Sequence, residues 1–175
     1  MSVPHYYAVT VVGRDRPGII AETTGRLAGL GLNLEDSTMT LLRGHFAMML
    51  VCAGDAEEAD IETALASLTI DRSLMVTVSE IAADPGPPST GTPWVLTVHG
   101  GDRTGIVSAV ISEVAAVDGN ITDLTTRLAG DLYLLVAEID LPAGTDVAAL
   151  EASVHRVATD LGVRATLRPA DVDEL

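Results

Sequence analysis

At 175 residues, 47% hydrophobic and 20% charged, the chain can form one domain or two small ones, and this balance excludes disorder as its main state. A net charge of −15 opposes a phosphate backbone and weighs against nucleic-acid binding, and the complete lack of lysine excludes Schiff-base chemistry and a Walker-type phosphate loop. The single cysteine, Cys52, excludes an internal disulfide framework, no apolar run is long enough to cross a bilayer, and Met1–His5 does not read as a signal peptide, so a cytoplasmic chain is expected.

Tyr6 to Val12 is β-branched and aromatic and predicts a first strand. Pro17 and Gly18 are expected to open a helix in which Ile19, Ile20, Thr23, Leu27 and Leu30 recur at helical spacing. Gly31 suits a left-handed residue after its end. Asn33 to Leu42 alternates like a half-buried strand, Arg43-Gly44 reads as a turn, and His45 to Ala53 as a more buried strand. Asp55 to Leu68 predicts a second helix, acidic at its start as the helix dipole favours, and Leu74 to Ile81 closes a β-α-β-β-α-β unit. Ala82 to Pro93 loses all periodicity and holds four of the eight prolines, so a linker is placed there.

The pattern then restarts: strand Trp94 to His99, helix Gly105 to Val117, strands Asn120 to Leu128 and Leu132 to Asp140, helix Asp146 to Leu161 and strand Arg164 to Arg168. Asp15 and Asp102, Gly18 and Gly105, Asn33 and Asn120, and Asp36 and Asp123 are each 87 residues apart, so the chain is a tandem duplication. The expected fold is α+β, two ferredoxin-like sandwiches with helices on one face of each antiparallel sheet. The expected boundaries are 1–82 and 94–170, joined by 83–93 and followed by the acidic tail 171–175.

Chemistry concentrates where each first strand turns into its helix. Amides near Gly18 and Ile19, or Gly105 and Ile106, could receive a carboxylate at a helix start, and Asp15 or Asp102 could accept from an ammonium. Capping is the favoured role of the two aspartates. The glycines suit positive φ or close approach of a ligand. Asn33 and Asn120 divide evenly between local turns and ligand contact, whereas Asp36 and Asp123 read as solvated edge charges. Arg14, Arg16 and Arg103 could clamp a carboxylate, though Gly101 replaces Arg14 in the second copy. His5, His45, His99 and His155 have no metal-binding spacing; no metal or cofactor is expected, and His99, which stands where the first copy has Val12, is the one worth testing. Cys52 and the methionines Met39, Met48, Met49 and Met75 read as core.

The stretch Gly13-Arg14-Asp15-Arg16-Pro17-Gly18-Ile19-Ile20 followed by Asn33-Leu34-Glu35-Asp36-Ser37 resembles the ACT domain. Gly101-Asp102-Arg103-Thr104-Gly105-Ile106-Val107 and Asn120-Ile121-Thr122-Asp123 form a second copy with Thr104 in the proline position. The tandem arrangement resembles the glycine cleavage system transcriptional repressor family. This resemblance implies a regulator without catalytic residues that binds a small amino acid such as glycine or serine between modules, forms a homodimer and acts through a protein partner. It implies no direct nucleic-acid or membrane contact. Carried over, the ligand would lie between Gly13–Gly18 and Asn120, and between Gly100–Gly105 and Asn33. Three other readings are weighed: an RNA-recognition sheet, which would need stacking aromatics such as Phe46 and Tyr133; an acylphosphatase-type hydrolase using Arg16 and Asn33; and a dimerisation scaffold with no ligand.

Overall fold

The alternation of apolar side chains decides which sheet face is covered. In the computed structural model, which describes residues 4–83 and 91–170, the chain divides into units Met1–Gly86 and Pro87–Leu175. The first unit runs β1(His5–Arg14), α1(Ile19–Gly29), β2(Asn33–Leu42), β3(His45–Gly54), α2(Glu58–Leu65), a 3-10 turn (Ala66–Thr69) and β4(Leu74–Ile81). Its sheet has the order β2-β3-β1-β4, with antiparallel neighbours. Tyr7, Val9 and Val11 of β1 and Phe46, Met48, Leu50 and Cys52 of β3 point under the helices, where Ile19, Leu27, Ile61, Leu65 and Leu68 complete one core. Burying each large side chain stabilises the fold by about 1.5–3 kcal/mol. Two polar groups in this layer are satisfied, the Tyr7 hydroxyl donating to the Ala56 carbonyl at 2.8 Å and buried Thr23 to the Ile19 carbonyl at 2.8 Å. Arg26 Nε and the Ser67 hydroxyl are buried without a partner among the described residues. Cys52 is buried, as expected, and burial pushes its thiol pKa up, which suits an inert packing residue.

The second unit repeats the plan with β5(Thr92–Gly101), α3(Ile106–Ala115), β6(Asn120–Ala129), β7(Leu132–Leu141), α4(Val147–Asp160) and β8(Val163–Pro169). Its sheet order is β6-β7-β5-β8. Leu96, Val98, Leu135, Ala137, Ile139 and Leu141 pack under Ile106, Val110, Val114, Leu150, Val154 and Ala158. The α+β class and the paired β-α-β-β-α-β order are therefore as the sequence predicts.

Several local expectations need correction. Pro17 and Gly18 precede α1, which starts at Ile19. The second helix is shorter than Asp55 to Leu68: α2 covers Glu58–Leu65, and the chain then tightens into the 3-10 turn. Thr92 and Pro93, placed in the linker, begin β5, Pro93 opening the strand where its missing N–H is tolerated. The rest of the proposed linker from 84 to 90 and the tail 171–175 lie outside the described residues. Of the four methionines assigned to the core, only Met48 is buried, while Met39, Met49 and Met75 are exposed. Met49 and Met75 point to the sheet face that no helix covers, and Met39 lies on β2, whose ten residues are all exposed.

Candidate functional site

Both duplicated corners adopt the same backbone geometry. Gly18 has φ 89° and ψ −5°, and Gly105 has φ 90° and ψ 2°. These angles match the third residue of a type II turn, which glycine occupies without steric penalty, and Pro17 suits the position before it. Thr104 replaces that proline, yet Gly105 keeps the geometry; proline is not required for the corner to form.

Each glycine is also the residue that caps its helix, and neither helix start has a side-chain cap. This overturns the capping role favoured for Asp15 and Asp102. The turn delivers the chain into the helix through the glycine, which leaves each aspartate three residues upstream of the cap. Asp15 is fixed through its backbone instead, its N–H donating to the Gly44 carbonyl at 3.1 Å, and the Asp102 N–H donates to the Asp131 carbonyl at 3.2 Å. The Glu22 N–H bonds back to the Gly18 carbonyl and the Ala109 N–H to the Gly105 carbonyl, each at 2.9 Å. The amides ahead of them, beginning with Ile19 and Ile106, are those an α-helix leaves without intrahelical partners. With the positive end of the helix dipole they form a setting for a carboxylate.

The strands set the position of each corner. The Arg14 N–H donates to the Ser73 carbonyl at 2.9 Å, and a Cβ on Gly13 would sit 2.0 Å from that oxygen. Gly13 is therefore a close-approach glycine where β1 passes the start of β4. Gly100 plays this part in the second unit, where a Cβ would come within 2.8 Å of the Val163 side chain. Asp71 supports the β4 entrance by accepting from the Ser73 N–H and hydroxyl at 2.9 and 2.7 Å, bonds that hold its pKa down. These supports, Gly44, Ser73, Asp71 and Asp131, were not identified from the sequence. They lie in turns whose long-range partners have no local signature.

The arginines divide. Arg16 donates to Glu22 at 3.2 Å, and Arg26 reaches the other oxygen of the same carboxylate at 3.2 Å while donating to the Ala64 carbonyl at 3.1 Å. The Arg16 bond first, opposed by partial desolvation and aided by Arg26, lowers the Glu22 pKa. Arg16 thus braces the corner against α1. Arg103 donates to the Asp102 carbonyl at 3.0 Å, and Arg14 ends β1 across from His45.

Asn33 and Asn120 are exposed at the starts of β2 and β6. Asn33 donates to Glu35 at 2.9 Å. Across the sheet Asn33 aligns with Ala53 and Tyr6, whereas the corner follows Arg14, eight residues further along β1 or about 26 Å away. Within one unit, therefore, the asparagine and the corner do not meet. The same separation keeps Arg16 from joining Asn33 in a hydrolase site. Phe46 is buried under the helices, and Tyr133 also lies on the helix-covered side, so neither offers a stacking surface on the open sheet face. His5 pairs with Glu80 at 2.8 Å, and His99 stands on the open face across from Arg164. Among the described residues no group of three or more His, Cys, Asp and Glu could hold a metal ion, and no helix is long and apolar enough to cross a membrane.

Residues 5–79 and 92–167 each match the ACT domain. The chain belongs to the ACT-domain family. This tandem ACT protein resembles the glycine cleavage system transcriptional repressor of Escherichia coli (strain K12), with 26% identity over 175 residues, covering 95% of this chain and 91% of that one. A shorter stretch of 50 residues is 44% identical to a UPF0237 protein of Streptococcus pneumoniae, covering 29% of this chain and 57% of that protein. Among solved structures, a protein of unknown function from Galdieria sulphuraria superposes with a TM-score of 0.80 at 26% identity, covering 96% of this chain and 99% of its own. A protein proposed to be a glycine cleavage system transcriptional repressor shares the fold at a TM-score of 0.69 and 20% identity, covering 95% and 98%.

Proposed function

We propose that this tandem ACT protein is a cytoplasmic regulator without catalytic activity that senses a small amino acid, glycine or serine being the first candidates. The observation carrying this reading is the pair of corners, each with a left-handed glycine at the helix start and no side chain closing it. An amino-acid carboxylate placed there receives helix-start amides, and its ammonium needs acceptors such as Asp15 or Asp102 and the side-chain oxygen of an asparagine. Asn33 and Asn120 lie too far from the corners of their own modules to serve, so the niche is assigned to two modules side by side. β2 and β6, which begin with these asparagines, are edge strands of their sheets. The name of the Escherichia coli relative supports a regulatory role, and the acidic surface suits signalling through a protein partner rather than through nucleic acid. A homodimer is part of this proposal.

Calorimetric titration with each of the twenty amino acids tests it. Saturable binding of glycine, serine or a similarly small ligand is expected, with loss of about tenfold or more in affinity in Asn33→Ala and Asn120→Ala, each of which removes a hydrogen-bonding partner. Binding of none of the twenty would leave a scaffold as the remaining role.

A further inference from the structure

We propose that the open face of the second sheet carries a separate anion-binding site, centred on His99 and Arg164, for a small multivalent anion bearing phosphate or carboxylate groups. Val98 is buried beneath the helices, so alternation turns His99 to the uncovered face. His99 is aligned with Arg164 on β8 on one side and with Leu134 on β7 on the other, and Leu134 is aligned with Arg127 on the edge strand β6. One row across four strands thus reads Arg127, Leu134, His99, Arg164. The matching row of the first sheet reads Thr40, Ala47, Val12, Met75, without a charge. The next row is nearly unchanged between the copies, with Thr38, Met49, Thr10 and Thr77 against Thr125, Val136, Thr97 and Thr166. Beyond that row the copies differ again, with Asp123, Glu138, Val95 and Arg168 against Asp36, Val51, Ala8 and Ser79. There the added arginine comes with an added carboxylate, so the His99 row is the one that gains only cations.

In a chain of net charge −15, carboxylates are abundant, yet among the described residues neither His99 nor Arg164 is in an ion pair. Both line a cleft of about 370 Å3 with Gly100, Thr159, Gly162 and Val163, a lining without any carboxylate. This size falls in the range of small-molecule sites. The C-terminal end of α4, whose partial negative charge would oppose an anion, borders the cleft. Its last turn is already engaged, the Leu161 N–H donating to Val157 and the Gly162 N–H to Thr159 at 3.2 and 3.0 Å. The arginine supplies a planar two-pronged donor for an oxyanion and the imidazole a second donor beside it, while the Thr159 hydroxyl already donates to the His155 carbonyl at 2.8 Å. Arg127, two strands from His99, can receive the far end of a longer anion. Among the described residues the open face carries no Phe, Tyr or Trp for base stacking, which favours a small anion over a single-stranded nucleic acid.

The test is calorimetric titration of the full chain with inorganic pyrophosphate and, separately, with citrate, at low and at physiological ionic strength. The comparison protein is H99V/R164M, which installs the first module's residues at two exposed positions; the single variant R164M serves if the double variant loses its circular dichroism. Saturable binding to the natural chain, weakened about tenfold or more in the variant and by added salt, is the expected result. Saturation by pyrophosphate alone assigns a phosphate-bearing ligand, and by citrate alone a carboxylate-bearing one. Heats that do not saturate with either probe, or equal affinities in both proteins, overturn the proposal. Amino-acid titrations of the same variant report on the corners independently, so each idea can fail alone.

Discussion

At the scale of single residues, the corner shows how one motif supports two physical readings. Asp15 lies just ahead of a helix, where an aspartate ordinarily accepts from helix amides, and nothing in Gly-Arg-Asp-Arg-Pro-Gly distinguishes that from a turn closed by glycine. The backbone angles decide: Gly18 at φ 89° takes the cap position itself. Asp15→Ala is therefore expected to change unfolding free energy by less than about 0.5 kcal/mol, where loss of a true cap would remove about 1 kcal/mol. Gly18→Ala is expected to destabilise by about 1–2 kcal/mol, the penalty of a left-handed L-residue, because nothing lies within 4 Å to add a clash. Urea denaturation of the two variants checks both, and a large loss in Asp15→Ala alone would restore the aspartate as cap.

At the scale of elements, strand and helix order was legible because hydrophobic period changes from two to 3.6 along each unit. Which strand face becomes core was less so. The methionines illustrate the reason: Met48 and Met49 are adjacent on β3, and only the helices above the sheet make one buried and the other exposed. Edge strand β2 alternates like a half-buried strand, yet helical cover does not reach it and all ten residues remain exposed. Helix ends were more predictable. Gly31, at φ 75°, closes α1 as expected, with its N–H donating to Ala28 and the Leu32 N–H to Leu27 at 3.0 and 3.1 Å. The second copy builds the same closure on Asp118 at φ 56°, with the Asp118 N–H donating to Ala115 and the Gly119 N–H to Val114, both at 3.0 Å. An aspartate there carries a left-handed strain that glycine does not. Asp118→Gly is expected to stabilise the second unit by about 0.5–1 kcal/mol, read as a higher denaturation midpoint with an unchanged slope. A lower midpoint would show that the Asp118 side chain contributes more than its backbone strain removes.

At the scale of the whole molecule, duplication was the strongest signal, since a constant spacing through helix and strand requires two copies of one plan. It did not reveal that one open-face row differs in charge between the copies, because a row running across four strands collects residues far apart in sequence. Nor does a repeated plan imply a shared interior. The first core gathers Val9, Leu27, Leu50 and Ile61, and the second gathers Leu96, Val114, Ile139 and Val154, each around its own sheet. Leu27 is fully buried in the first core, and Leu27→Ala removes its contacts there and leaves a cavity, a loss of about 2–5 kcal/mol. Hydrogen exchange read residue by residue should then show protection falling across β1, β3 and α1, which share that core. Amides of β5, β7 and α3 should keep theirs, because no side chain of the second core has lost a neighbour. The reciprocal variant, Val114→Ala, should reverse the pattern. Equal loss of protection in both units from either substitution would mean that the two modules unfold as one cooperative body, and two separate cores would then be the wrong description of what holds this chain together.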